Sequence, residues 1–331
     1  MAVFIIGPPR SGTTLLSFML DGHSSLAVMV ESHLFGIYRL AAAQLGDRFP
    51  ELWPELAHRI ATSRPFAYIE PRIDPGGLDH RPIADYADMT RAILETWTEL
   101  RGKEIWVEKT PCHTLHWRYL VDHFPDAKFV AIIRDPRPSA ASLIKARFGS
   151  SAISAATRQW VRYCDAMDDL RRTAPRRLHV LRYEDLVHEP RMTLTKICRF
   201  LGIELEEAML RPRPSSRVMT DDVNRWRLNN RVIRRDTGRW RQSMPAYQQR
   251  ICSSLAQSTG RRFGLDIGDA TVSMPDRLLD WLDLAWLVVK KWRDRQGLAE
   301  RFDQVKLLLW ARLLSGSRRF WSVILSALPA I

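Results

Sequence analysis

The first fifteen residues constrain the fold more than any other stretch. Val3-Phe4-Ile5-Ile6 is a short apolar run of the buried-strand kind. It breaks into Gly7-Pro8-Pro9-Arg10-Ser11-Gly12-Thr13-Thr14, and Leu15-Leu16-Ser17-Phe18-Met19-Leu20 then reads as a helix. Strand, glycine-bounded loop and helix start make a phosphate cradle. Backbone N–H groups of the loop and the positive end of the helix dipole converge there on one anion. Gly7 and Gly12 have the spacing G-x-x-x-x-G, but Thr13 stands where the ATP-binding version of this loop has lysine. The cation lies inside the loop instead, as Arg10. The competing reading is a plain strand–turn–helix in which Thr13 and Thr14 only cap the helix.

Apolar runs and helical patterns alternate along the rest of the chain. Residues 26–30 read as a second strand ending at Glu31-Ser32-His33, which delivers a carboxylate and an imidazole together. Residues 34–101 look helical and irregular. A helix is predicted over 83–100 from Tyr86, Met89, Ile93, Trp97 and Leu100, and a loop over 63–82. Strands are predicted at 104–108, ending at Lys109-Thr110-Pro111; at 129–133, ending at Arg134; and at 178–181, ending at Arg182-Tyr183-Glu184-Asp185. Helices are predicted after Arg134, carrying Ser142; over 155–172; and over 190–201, with Pro190 in the first turn and Gly202 as the stop. This alternation predicts an α/β fold: a P-loop-type parallel β-sheet flanked by helices. The main domain is expected over 1–270, with a helical cap-like insertion at about 34–101. An amphipathic helical C-terminal extension is expected over 271–331.

Composition narrows the partners without choosing among them. A net charge of +13 predicts an anionic one: nucleotide, nucleic acid, acidic lipid or acidic peptide. The four cysteines are widely spaced and form no C-x-x-C, so neither a metal site nor a disulfide framework is expected. A strand starting at residue 3 leaves no room for a signal peptide, and no apolar run is long enough to span a bilayer. These features predict a cytoplasmic protein, either free or peripheral to a membrane. Residues 211–243 are very basic, and read as a lid over an anion or as a solvated loop. Residues 274–331 hold Trp- and Leu-rich amphipathic helices flanked by Lys290, Lys291 and Arg293. They suit packing on the core, a homodimer interface or an acidic membrane surface.

Arg10, Glu31, Lys109, Arg134 and Tyr183 all fall at the carboxyl ends of predicted strands, where open α/β sheets bind ligands. Arg134 and Ser142 add a second anion site. Two separated anion sites, with neither a loop lysine nor a metal-binding acid after an apolar strand, suit a nucleotide charged at both ends better than ATP.

This set of residues resembles the sulfotransferases that use PAPS (3′-phosphoadenosine 5′-phosphosulfate), over about residues 1–245. The resemblance implies that Arg10, Ser11, Gly12, Thr13 and Thr14 grip the 5′-phosphosulfate, and that Arg134 and Ser142 grip the 3′-phosphate. The tyrosylprotein sulfotransferase-like branch is closer still, sharing Pro9-Arg10-Ser11-Gly12-Thr13-Thr14-Leu15 and then Leu20-Asp21-Gly22-His23. It implies Glu31 as catalytic base, Lys109 in a K-x-P context at the sulfuryl group, and nucleotide contacts from Tyr183 and from Arg239 before Trp240. The function so implied is in-line sulfuryl transfer from PAPS to a hydroxyl acceptor (small molecule, glycan, lipid or peptide tyrosine), leaving PAP, with no metal and no nucleic acid. Glu31 is expected to need a carboxyl pKa raised by partial burial. Alternative roles are open: Glu31 as a cap or as salt-bridge partner of a structural Lys109, with His23 or His33 as base. The competing functions are a P-loop kinase-like enzyme and a basic membrane- or nucleic-acid-associated protein. The first needs a lysine after Gly12, and the second leaves the strand-end residues unexplained.

Overall fold

The computed structural model describes residues 1–78, 81–146, 152–211, 238, 240–293, 303, 305–311 and 314. Five strands, β1 (Ala2–Ile6), β2 (Leu26–Val30), β3 (Ile105–Lys109), β4 (Lys128–Ile133) and β5 (Leu178–Arg182), form one sheet in the order β2-β3-β1-β4-β5. Every pairing is parallel.

Helices cover both faces, which is why the strands read as continuous apolar runs. Side chains alternate along each strand. Val3, Ile5, Val28, Val130 and Ile132 point to one face, against Leu16, Met19 and Leu20 of α1 (Thr13–Asp21). Phe4, Ile6, Met29, Phe129 and Ile133 point to the other. There Phe4 stacks on Phe129 at 5.5 Å and meets Phe35, Trp106 and Phe124 edge-on at 5.4–5.6 Å. Aromatic pairs in that range favour edge and offset packing, so Phe4 is a rigid centre for the sheet.

The segment 34–101 lies on the Phe4 face. It holds α2 (Arg39–Leu45), α3 (Phe49–Ala61) and α4 (Tyr86–Leu100), which bury Leu45, Leu56, Ile60, Met89 and Trp97 in the same core. α4 starts later than the predicted residue 83 because Asp85 is its cap: the Asp85 side chain accepts from the Asp88 N–H. α5 (Trp117–His123) follows β3, while α6 (Pro136–Lys145) and α7 (Ile153–Thr173) link β4 to β5. α8 (Tyr183–His188) and α9 (Pro190–Leu201) complete the α1 face, and α9 ends at Gly202 with φ 82°, as the sequence predicts.

From β1 the chain runs to one edge strand, β2; from β4 it runs to the other, β5. The connections therefore diverge between β1 and β4, and the carboxyl ends of those strands are where open α/β sheets of this kind bind ligands. The helix Ala246–Arg262 packs Ile251 and Cys252 with Ala140, Leu143, Ile153 and Trp240. Farther on, Leu308 and Ala311 join the main core, and Arg59 of α3 lies over the Trp310 ring at 4.3 Å. Among the described residues no helix is long and apolar enough to cross a membrane, and no group of His, Cys, Asp and Glu could hold a metal ion.

Candidate functional site

The strand order turns the five strand-end residues into a row. Across the sheet edge stand Glu31 after β2, Lys109 ending β3, the loop 7–12 after β1, Arg134 after β4 and Tyr183 opening α8 after β5.

The loop is held in an unusual backbone conformation. Gly7 and Gly12 have φ of 148° and 98°, where side chains are strained. A Cβ on Gly7 would strike the Ile132 carbonyl of β4, and one on Gly12 would strike the Tyr183 ring. The Gly7 N–H donates to Thr114 Oγ1 at 2.9 Å, and Thr114 donates to the Pro111 carbonyl at 2.7 Å, so the loop's first residue is tied to the chain after β3. Gly12 is the N-cap of α1, and among the described residues no side chain caps that helix. Thr13 and Thr14 are therefore not its caps. Among described non-glycine residues only Arg10, Glu31 and His33 have positive φ, at 68°, 57° and 56°. All three lie at the same sheet edge, and strain of this kind collects at functional sites.

The two predicted anion sites are joined. Arg10 Nε donates to Ser142 Oγ of α6 at 2.9 Å. The Arg134 guanidinium lies 4.2 Å over the Tyr183 ring, and that ring also walls Gly12. Trp160 Nε1–H donates to the Arg134 carbonyl at 3.1 Å, and the Asp135 N–H to Glu184 Oε1 at 3.3 Å, which pins the ends of β4 and β5 together. Ser11 Oγ and Arg134 Nε are buried without a hydrogen-bond partner among the described residues. Two such donors, one in the loop and one at the tip of β4, suit two bound oxyanions, because an unmet buried donor is otherwise costly. The residues present thus suit a nucleotide carrying separated anionic groups. Arg239 lies outside the described residues.

On the far side, Lys109 is fully buried and its Nζ donates to Glu31 Oε1 at 2.8 Å, with Thr14 Oγ1 at 3.4 Å. Lys109 thus stands between the carboxylate and the first turn of α1. The expected upward shift of the Glu31 carboxyl is corrected here. Burial does raise it, but the charge and hydrogen bond of Lys109 outweigh burial, and the carboxyl titrates below its ordinary value of 4.5. The salt-bridge reading of Glu31 is therefore right about its partner. Burial lowers the His33 imidazole, which keeps it uncharged at neutral pH. His23 sits at the opposite end of α1, bonded to the Glu204 carbonyl at 3.0 Å, and is not part of this site.

Beneath the pair lies a network that sequence reasoning missed. Glu108 is fully buried and accepts from Ser32 Oγ at 2.8 Å, Thr110 Oγ1 at 2.5 Å and His113 Nδ1 at 2.7 Å. His113 Nε2 accepts the Phe35 N–H at 3.1 Å, so the proton is on Nδ1. Burial raises the Glu108 carboxyl, but His113 and the hydroxyls more than reverse this and hold it below 4.5. The available signal was a carboxylate in the inward register of an otherwise apolar strand.

Comparison with known proteins identifies the family. A family model described as "Sulfotransferase family" matches residues 2–207. Protein-tyrosine sulfotransferase 1 of Danio rerio is 28% identical over 214 residues, covering 63% of this chain and 55% of the relative. The protein-tyrosine sulfotransferase of Drosophila melanogaster is 25% identical over 219 residues, covering 63% and 39%. The chain thus spans about half the length of the curated relatives it matches. Among solved structures, the sulfotransferase domain of the Synechococcus PCC 7002 olefin synthase aligns with a TM-score of 0.54 at 26% identity, over 80% of this chain and 94% of that one. The sulfotransferase domain from the curacin biosynthetic pathway shares the fold, with a TM-score of 0.55 at 21% identity over 80% and 98%. The family match over residues 2–207, together with the glycine loop and the row of strand-end residues, shows that this chain belongs to the sulfotransferase family.

Proposed function

We propose that the protein transfers a sulfuryl group from PAPS to an acceptor hydroxyl by in-line displacement, with Glu31 as general base. The observation that carries this reading is the order of Glu31, Lys109, the Arg10 loop, Arg134 and Tyr183 along one sheet edge. The loop is read as P-loop-type, with arginine taking the part of the usual lysine.

PAPS supplies the sulfuryl group; the acceptor oxygen bonds to sulfur, and the bridging S–O bond breaks with its electron pair going to the phosphate. Glu31 takes the acceptor proton on a carboxylate oxygen. Its depressed pKa keeps it ionised and ready at neutral pH, at some loss of basicity. Lys109 and Arg10 stand where negative charge grows on the leaving side, with the uncapped N–H groups of α1. Arg134 and Ser142 take the 3′-phosphate, and Ser11, Gly12, Thr13 and Thr14 the 5′ end. Tyr183 walls the loop, and Arg239 is kept as a proposed nucleotide contact. Residues 34–101, starting just beyond Glu31, are proposed as the acceptor-side wall of a catalytic unit over 1–270, with 271–331 as an extension.

The acceptor is a hydroxyl compound: a small molecule, a glycan, a lipid or a peptide tyrosine. The four cysteines are free thiols, which suits a reducing compartment, and the cytoplasm is proposed. Incubation with labelled PAPS and acceptor pools, read by mass spectrometry, tests the reading. Transfer by the wild type and its loss in Glu31→Gln support it. Full transfer in Glu31→Gln overturns the base assignment, and absence of transfer to every pool overturns the activity.

A further inference from the structure

The helix Met274–Arg293 is attached to the protein by its acids and turns its large apolar side chains away. Asp276 accepts from Arg250 through both oxygens, at 2.5 and 2.9 Å. Asp280 accepts the Ser154 N–H at 3.1 Å, and Asp283 the Tyr247 hydroxyl at 2.7 Å. Positions 276, 280 and 283 share one helix face. The other face carries Met274, Leu278, Trp281, Leu282 and Trp286, exposed by 76, 59, 62, 50 and 57%. Turning that face inward would break all three anchors, so the core is not its destination.

Charge selects the occupant. The helix has three acidic residues, and all three are the anchors on its inner face. Arg277 is exposed beside the apolar stripe, and the last turn reads Lys290-Lys291-Trp292-Arg293. The described stripe carries no carboxylate, so a second copy would leave Arg277 of each chain without an acidic partner there. A surface of acidic lipid headgroups complements it, and Trp side chains suit the boundary between headgroups and acyl chains. The net charge of +13 acts in the same direction over longer range. We propose that Met274–Arg293 docks this protein on an anionic phospholipid surface, with Leu278, Trp281, Leu282 and Trp286 in the interface. This does not depend on the reaction proposed above.

The test is flotation of the full chain with vesicles of phosphatidylcholine alone and with vesicles that also contain phosphatidylglycerol. Binding roughly tenfold or more stronger on the anionic vesicles, with a blue shift of Trp emission, is expected. Combined Trp281→Ser, Leu282→Ser and Trp286→Ser removes binding without lowering the thermal unfolding midpoint. Combined Arg277→Glu, Lys290→Glu and Lys291→Glu drops binding to the level on neutral vesicles. Unchanged binding by the serine variant, or failure of the wild type to bind anionic vesicles, overturns the proposal. So does a wild-type dimer in analytical ultracentrifugation that the serine variant turns into a monomer, which would assign this face to a second copy.

Discussion

Lys109 and Glu31 hold each other twice: the Lys109 ammonium donates to Glu31 Oε1 at 2.8 Å, and the Glu31 N–H donates to the Lys109 carbonyl at 2.7 Å. The register of β2 on β3, with Val30 opposite Lys109, brings the two together. The backbone bond fixes where the carboxylate starts, and the ion pair fixes where it points. The proposed general base and the proposed charge-neutralising cation are thus held side by side, as preorganised catalysis requires.

Replacing Glu31 with Gln removes the proposed proton acceptor and leaves the loop alone. Turnover of labelled PAPS should fall by about 10²–10⁴-fold, while PAP affinity by calorimetry changes only a few-fold.

The Lys109 contact also sets a pH dependence. A carboxyl held below 4.5 stays ionised above that pH, so kcat/KM loses activity on the acid side only as pH falls through a value below 4.5. In Lys109→Met the burial of Glu31 remains and its cation is gone, so the acid limb of the residual activity moves up. An unmoved limb would assign that titration to another group.

The two loop glycines should fail differently. Alanine at either meets a positive φ, which costs about 1–3 kcal/mol. Gly7→Ala also strikes a backbone carbonyl of β4, which cannot turn aside, so denaturant unfolding should show the larger loss there. Gly12→Ala strikes the Tyr183 ring, which can move, so its larger effect should be on PAP affinity.

Ser142 accepts from Arg10 Nε and is proposed to hold the 3′-phosphate. Ser142→Ala should weaken PAP by a few-fold to about tenfold, the worth of one hydrogen bond. Binding of adenosine 5′-phosphosulfate, which lacks that phosphate, should change less. Equal losses would place Ser142 at the 5′ end.

Glu108 supports the site from below. Glu108→Gln should cost about 1–3 kcal/mol at pH 7, because buried donors lose an ionised acceptor. With the folded pKa depressed, the carboxylate's contribution is present above 4.5 and lost as pH falls through the lower folded value. The difference between wild type and variant, measured by denaturant unfolding, should therefore shrink below pH 4.5.

Strands β1 to β4 were legible because they are buried on both faces and read as apolar runs bounded by polar residues, whereas β5, at the sheet edge, is only half-buried. The strand-end rule then located Arg10, Glu31, Lys109, Arg134 and Tyr183. Of the pairings across long separations, only Glu31 with Lys109 was named, as one alternative for the two residues. Arg10 and Ser142 lie 132 positions apart, and no local pattern announces their bond. The downward shift at Glu31 depends on its distance from a lysine 78 positions away, which the sequence does not contain. Glu108 read as the polar end of a strand, although its register places it inward. The amphipathic pattern of 274–293 showed two faces but not which one is docked. The acids hold it, the reverse of the usual arrangement.

Calorimetric titration of the full chain with PAP in the presence of EDTA, compared with ADP in the presence of magnesium, tests the donor-site assignment most directly. The two-anchor site predicts magnesium-independent PAP binding that is much tighter than ADP binding and is lost in Arg10→Ala and in Arg134→Ala. Preference for ADP with magnesium, or PAP affinity unchanged in both variants, would contradict it.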